Sequence, residues 1–232
     1  MRLQAFLARS GAAPSRRKAE TLITTGRVTI NGTTATLGES VETTDTVLLD
    51  GIPVALPETL VHLAFNKPAG YLTTLSDDRG RSTVADLMPK NIPGLVPVGR
   101  LDVDTMGLLI LTNDGKLAHR ISHPSSEIKK QYRLTLRNPI PETALKVLAE
   151  GPILEDGKMH PPKIENLTPK LRHSTLDLTI HEGRNRIIRR ACVAVGLRLL
   201  SLRRIRIGPV NLGDLPEGEH RSLTASELEG LS

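Results

Sequence analysis

The sequence predicts an α+β protein in two parts. Residues 1–51 form a small unit of two helices and a small sheet, and residues 61–232 form a larger domain on a mixed, largely antiparallel sheet flanked by helices. Three observations predict this. Segments of helical and of strand periodicity alternate irregularly, not as a regular strand-helix repeat. Asn-Gly and Asp-Gly pairs separate short apolar runs. Residues 52–60 carry two prolines and no periodicity, so they read as an extended connector. A chain of 232 residues is long enough to bury two cores of unequal size.

The N-terminal unit opens with Leu3, Phe6 and Leu7 at helical spacing. Ser15 can cap a second helix in which Ala19, Leu22 and Ile23 share a face, and Gly26 ends it. Val28 and Ile30 alternate with Thr29 up to Asn31-Gly32, a two-residue hairpin signal, and residues 46–49 read as a further strand ending at Asp50-Gly51. Arg16, Arg17 and Lys18 fall in the first turn of the second helix, where cations oppose the helix dipole. That placement is unfavourable for the helix alone. A phosphate would be held there by charge and by free N–H groups together, and the alternative is a solvated basic face.

In the larger domain, residues 107–112 are a continuous apolar run, hence a buried strand, closed by Asn113-Asp114-Gly115. Residues 141–151 read as a helix with Pro141 at its start and Gly151 at its stop. Residues 132–136 and 175–180 alternate as half-buried strands. A helix over 184–195 would bury Ile187, Ile188, Ala191 and Val195 and show Arg186, Arg189 and Arg190. Ile205 and Ile207 alternate with Arg204 and Arg206, so the next strand is expected to show arginine on one side.

Charge is clustered. The 31 Lys and Arg exceed the 25 Asp and Glu to give a net charge of +6. Residues 1–30 hold six basic side chains (Arg2, Arg9, Arg16, Arg17, Lys18, Arg27) against Glu20 alone, and Arg184 to Arg206 hold eight arginines and no carboxylate. Two cationic surfaces follow, and phosphate backbones are the commonest ligand of such surfaces. The lone Cys192 excludes an internal disulfide and a multi-thiolate metal site, which suits a reducing cytoplasm. No apolar run reaches the length of a membrane span or a secretory signal. The acid-free first 19 residues share their composition with organellar transit peptides, but they also fit the helical unit above.

Neither a phosphate-binding loop nor a dinucleotide glycine fingerprint is present, so no nucleotide cofactor is expected. His119 and His123 are four apart without an evident third ligand, and no metal is expected there. No serine or cysteine triad is supported. One carboxylate has an unusual setting: Asp102 lies in a loop that feeds directly into the apolar strand at 107–112. Catalytic residues favour such loops, and so do turn-capping aspartates. Composition leaves both open.

The segment from Gly99-Arg100-Leu101-Asp102 through Val103-Asp104-Thr105-Met106-Gly107 to Asn113-Asp114-Gly115 resembles the signature of the RsuA-type branch of rRNA pseudouridine synthases. Phe65-Asn66-Lys67-Pro68-Ala69-Gly70-Tyr71, Lys130-Gln131-Tyr132 and residues 182–190 agree with the same family in order. Residues 1–51 resemble the S4 RNA-binding module, on Ser15-Arg16-Arg17-Lys18-Ala19-Glu20 and Gly26-Arg27-Val28-Thr29-Ile30-Asn31-Gly32. The resemblance spans the chain. It departs at Ile187, where the family carries a polar residue.

What the resemblance implies is an isomerisation of uridine to pseudouridine in ribosomal RNA, with no cofactor and no metal. Asp102 matches the family nucleophile, Arg189 the arginine that pairs with it, and Tyr132 the tyrosine that stacks on the target base and can assist proton removal at C5. RNA contacts are expected from Arg2, Arg9, Ser15, Arg16, Arg17, Lys18 and Arg27 in the S4-like module. Around the site they are expected from Lys67, Arg100, Lys130, Arg184, Arg186, Arg190, Arg204 and Arg206. The partner is rRNA or an rRNA-protein assembly intermediate, met by a monomer in the cytoplasm without a membrane. Asp104-Thr105, residues 109–115, His123-Pro124 and Lys130-Gln131-Tyr132 are closer to members acting on the large subunit. The alternatives are the same activity on small-subunit rRNA and a non-catalytic ribosome-assembly factor.

Overall fold

The computed structural model of the protein describes residues 1–231. Helices α1 (Leu3–Arg9) and α2 (Arg16–Thr24) share one core with β1 (Val28–Ile30), β2 (Thr33–Thr34), β3 (Val47–Leu49) and β4 (Ile52–Val54), an antiparallel sheet in the order β2-β1-β3-β4. Leu3, Leu7, Ala19, Ile23, Val28 and Val47 fill that core. The Ser15 hydroxyl accepts the Lys18 N–H and caps α2. Asn31-Gly32 and Asp50-Gly51 each take two successive positive φ values (51° and 84°, 51° and 82°), as a type I′ hairpin turn requires. The second turn folds Ile52–Val54 back onto β3 as a fourth strand, although a connector was expected from residue 52. Pro53 misled because it breaks strand patterns, yet an edge strand such as β4 tolerates it.

The larger domain continues with β5 (His62–Lys67), β6 (Val96–Val98), β7 (Met106–Thr112), α3 (Gly115–Ser122), β8 (Lys130–Arg137) and α4 (Glu142–Glu150). A hairpin of β9 (Ile153–Leu154) and β10 (Gly157–Lys158) follows, then β11 (Lys163–Pro169), β12 (His173–Ile180), α5 (Ile187–Ala194), β13 (Leu199–Ile207), β14 (Val210–Asn211), β15 (His220–Ser222) and α6 (Ala225–Glu229). The main sheet runs β11-β12-β8-β13-β7-β5-β15, with β6 on β7 and β14 on β13. Only β7 and β13 pair in parallel among the described strands, so the sheet is mixed and largely antiparallel. No helix among the described residues is long and apolar enough to cross a membrane.

β7 explains its own apolar run: Leu108 and Ile110 join one core, Leu109 and Leu111 another on the opposite face. A third core, built from Leu134, Leu136, Leu176, Leu178 and Leu202, seats α4 and α5 through Leu148, Ile188 and Ala191. Two expectations change here. α5 begins at Ile187, not at 184, because Arg186 takes a left-handed conformation (φ 47°) and closes the loop before it. β13 bulges: Arg204 opposes Tyr132 and Arg206 opposes Gln131, the next residue along β8. The extra residue puts Arg204 and Arg206 on opposite faces, Arg204 buried and Arg206 exposed, where simple alternation predicted one row.

Candidate active site

Asp102 stands on the loop joining β6 to β7, in the wall of a cavity of about 420 Å³. The cavity lies over the centre of the sheet, with Lys130 and Tyr132 from β8, Ile180 from β12, Leu202 and Arg204 from β13, and Arg186 and Arg189 from the start of α5 among its lining.

The loop is anchored through its backbone. Leu101 is buried, and its N–H and C=O both bond the Thr73 hydroxyl (3.1 and 2.7 Å). The Thr105 N–H donates to the Asp102 carbonyl (3.0 Å), closing a turn, and the Gly70 N–H donates to the Val103 carbonyl (2.7 Å). Beneath the turn lies Lys67, fully buried, whose Nζ donates to the carbonyls of Pro68 (3.0 Å), Thr105 (3.0 Å) and Asp102 (3.3 Å). Burial pushes this ammonium down to about 8, despite the opposing pull of Asp104 and Asp102. Lys67 is therefore not available to RNA, contrary to expectation. It is a floor under the Asp102 turn.

The Asp102 carboxylate is free by contrast. An aspartate opening such a turn ordinarily folds its carboxylate back onto a backbone N–H two residues on. Here, among the described residues, the only group to approach it is Arg186 Nη1, at 3.5 Å, and the side chain is 30% exposed. Asp102 caps nothing, so its oxygens are open to the cavity.

The arginines divide differently from expectation. Arg189 does not pair with Asp102. Its Nη2 donates to the Asp104 carbonyl (2.9 Å) and the Thr105 hydroxyl (3.1 Å) and lies 3.2 Å from the Asp104 carboxylate. Arg186 spans both acids, bonding Asp104 through both terminal nitrogens (3.2 and 3.1 Å) while reaching Asp102. The left-handed turn at Arg186 brings it forward, whereas Arg189, one turn into the helix, meets the loop further along. Burial works against ionisation of Asp104, but the Arg186 hydrogen bonds and the charges of Arg189 and Arg186 outweigh it and hold that carboxyl below its usual range.

Other arginines are committed to structure. Arg184 binds Asp156 (2.8 Å), Glu182 (2.8 Å) and carbonyls of the β9–β10 hairpin, and Arg190 grips the same Asp156 with two nitrogens (2.8 and 2.9 Å). They fix the hairpin to α5 and have little left for phosphate. Arg204 is 3% exposed and donates Nε to the Leu108 carbonyl (2.7 Å), so it supports the cavity floor from inside and is not a backbone contact. Tyr132 is largely buried with its side chain in the cavity wall. Lys130 is half-buried and its ammonium pushed down by burial and by Arg204. Arg100 is exposed in the cavity lining, and Arg206 on β13 and Arg16, Arg17 and Lys18 on α2 are exposed away from it. Arg27 pairs with Asp50 (2.9 Å), and Arg2 bonds the Gly38 carbonyl. Ile187 is buried in the core that carries α5, which accounts for its apolar character. Among the described residues no group of three or more His, Cys, Asp or Glu could hold a metal.

Sequence reasoning missed Thr73 and the backbone role of Lys67. The Lys-Pro-Ala-Gly motif signalled importance at residue 67, but only the tertiary fold shows that the ammonium points inward.

A basic helix-and-hairpin unit joined to a mixed sheet, with one unspent carboxylate among arginines in its central cavity, is the makeup of an RNA-modifying enzyme. The chain belongs to the RNA pseudouridylate synthase family, whose model matches residues 61–194, and an S4 domain model matches residues 1–47. It is 42% identical to the ribosomal large subunit pseudouridine synthase B of Bacillus subtilis, across 99% of this chain and 95% of that protein. It is 44% identical to an uncharacterized RNA pseudouridine synthase of Mycobacterium leprae, across 100% of this chain and 92% of that protein. A crystal structure of a pseudouridylate synthase superposes with a TM-score of 0.70 at 34% identity, over 100% of both chains. The protein is thus an RNA pseudouridine synthase with an N-terminal S4 domain.

Proposed function

We propose that this protein isomerises a uridine of large-subunit ribosomal RNA to pseudouridine, with Asp102 as the nucleophile. The unspent Asp102 carboxylate carries this reading: its loop is anchored through Leu101, Val103 and Thr105, while among the described residues Arg186 alone pairs with its oxygens. A positioned carboxylate is a competent covalent catalyst, and the Arg186 guanidinium stands 3.5 Å from it.

Asp102 attacks C1′ of the ribose or C6 of the ring. The bond from C1′ to N1 breaks with its electron pair going to nitrogen, and the uracil turns while held in the cavity. C5 then bonds to C1′ and the bond to Asp102 breaks with its electron pair returning to the carboxylate, after which the C5 proton leaves and N1 takes a proton. Substrate and product are isomers, so the reaction consumes no co-substrate. Tyr132 offers the ring face on which the extruded base rests and a hydroxyl near the proton to be removed. Arg189 acts on Asp102 through the turn it clamps. Exposed Arg16, Arg17, Lys18, Arg100 and Arg206 supply phosphate contacts, which position the RNA without reading its sequence. The protein works as a monomer in the cytoplasm, on rRNA or on an assembly intermediate.

The choice of the large subunit rests on the relatives named for it. The test is tritium release from ribosomal RNA labelled at uridine C5. Release is expected from large-subunit RNA, release from small-subunit RNA alone would reassign the target, and release from neither would leave only an RNA-binding factor.

A further inference from the structure

The S4 module does not hang from a free tether. The carbonyl of Arg9 presses so closely on Gly94 that a Cβ there would lie 2.1 Å from it, and Gly11 sits against the same Pro93-Gly94 turn. Asn113, buried at the end of β7, bonds the Thr59 and Pro93 carbonyls (3.0 and 3.4 Å) and accepts the Val61 N–H (2.8 Å), which pins the connector to the same spot. A cleft of about 870 Å³ opens beside this joint. One wall carries Arg2, Arg9 and Arg16 of the S4 module, and the other carries Lys116, His119 and Arg120 on α3. Among the described residues no Asp or Glu lines it.

We propose that this cleft is a phosphate-backbone site for RNA, built from both modules, in which Lys116 and Arg120 act with Arg9 and Arg16. The proposal rests on the reading of the protein as an rRNA-modifying enzyme and adds a surface to it. Three observations carry it. First, Arg9, Arg16, Lys116 and Arg120 have no ion-pair partner among the described residues, unlike Arg184 and Arg190, which are held by acids of their own domain. Two modules converge like charges without compensation. A polyanion supplies it. Second, the walls are fixed in spacing by the Gly94 and Asn113 joint, so the charges are presented as one surface. Third, α3 leads to the active site: Leu117 and Ile121 anchor it to the core, its outer residues line the cleft, and Ile121 with Ser122 line the catalytic cavity. From Lys116 to Ser122 the helix advances about 9 Å, so one short helix borders both the cleft and the catalytic cavity. The His119 and His123 rings, 5.0 Å apart, stand along that route as flat surfaces.

The experiment measures binding of the full-length protein to a large-subunit rRNA fragment by fluorescence anisotropy across salt concentrations, with tritium release followed on the same RNA. For Lys116→Ala/Arg120→Ala the slope of log affinity against log salt is expected to shrink by roughly 1.5, the value for two lost phosphate contacts. Arg9→Ala/Arg16→Ala should give a similar loss. Charge-preserving Lys116→Arg/Arg120→Lys should retain the wild-type slope, and Lys146→Ala/Lys163→Ala, which removes two distant surface charges, should not alter it. An unchanged slope in both cleft variants, with wild type binding and releasing tritium, would overturn the cleft alone. Failure of wild type to bind or turn over the RNA would bring down the functional reading and the cleft with it.

Discussion

Replacing Lys67 by methionine keeps the unbranched stem as far as Cε and removes the ammonium. Three carbonyls, those of Pro68, Asp102 and Thr105, then lose their donor inside the protein. Hydrogen bonds to a charged group contribute about 2 kcal/mol each, so the gross loss is about 6 kcal/mol. Against it stands the cost of burying the cation: a fall from 10.5 to about 8 corresponds to about 3 kcal/mol. The net destabilisation at pH 7 is therefore about 3 kcal/mol, read as a shift of the urea midpoint. The pH dependence follows with a definite sign. Because the folded value is depressed, the unfolded chain binds more protons between pH 8 and 10.5, so the burial cost is complete below 8 and is relieved as pH rises through that window. Wild type should gain on Lys67→Met as pH climbs from 8 to 10, and tritium release should fall in the variant at every pH because the Asp102 turn has lost its floor. A variant of unchanged stability and pH profile, with only a weaker salt dependence of RNA binding, would refute the reasoning and return Lys67 to the RNA surface.

Arg186→Ala removes the one cation beside the Asp102 carboxylate and should lower the rate at saturating RNA by about 10²-fold, whereas Arg189→Ala should lose both rate and stability because it releases the Asp104-Thr105 backbone; equal stability of the two in urea would contradict the division. Gly107→Ala places a Cβ 2.2 Å from the Arg204 carbonyl at a φ of +104° and should destabilise by more than about 3 kcal/mol by forcing β7 from β13, visible as a fall in melting temperature. The Arg190 hydrogen bonds hold the Asp156 carboxyl below its usual range, so its contribution to stability is present at neutral pH and lost as pH falls through the folded value. Asp156→Asn should lack that acid limb and expose the β9–β10 hairpin to limited proteolysis at pH 7.

The elements were legible where one period dominated. Leu108 to Leu111 announced a strand buried on both faces, and Pro141 with Gly151 bracketed α4. Asn31-Gly32 fixed a hairpin because only left-handed residues make that turn. Legibility failed where a tertiary contact decides. The bulge at Ile205 turned Arg204 inward, and no local pattern reveals an extra residue between two ladder pairs. Arg184 and Arg190 looked like free cations because Asp156, which occupies both, lies about thirty residues away. At the site, the loop and its residues were readable from the Gly-Arg-Leu-Asp run, but the partner of Asp102 was not. Arg186 and Arg189 are three apart on the same segment and both meet Asp104, but only the left-handed turn at 186 lets Arg186 reach Asp102 as well.

The central claim is that Asp102 performs the covalent step. Single-turnover tritium release from C5-labelled large-subunit rRNA, by wild type and by Asp102→Asn, tests it directly, with RNA affinity measured on both. Full release by wild type, none by the variant, and closely matched affinity is the predicted result. Release by Asp102→Asn at the wild-type rate would leave the protein a synthase and remove Asp102 from its chemistry.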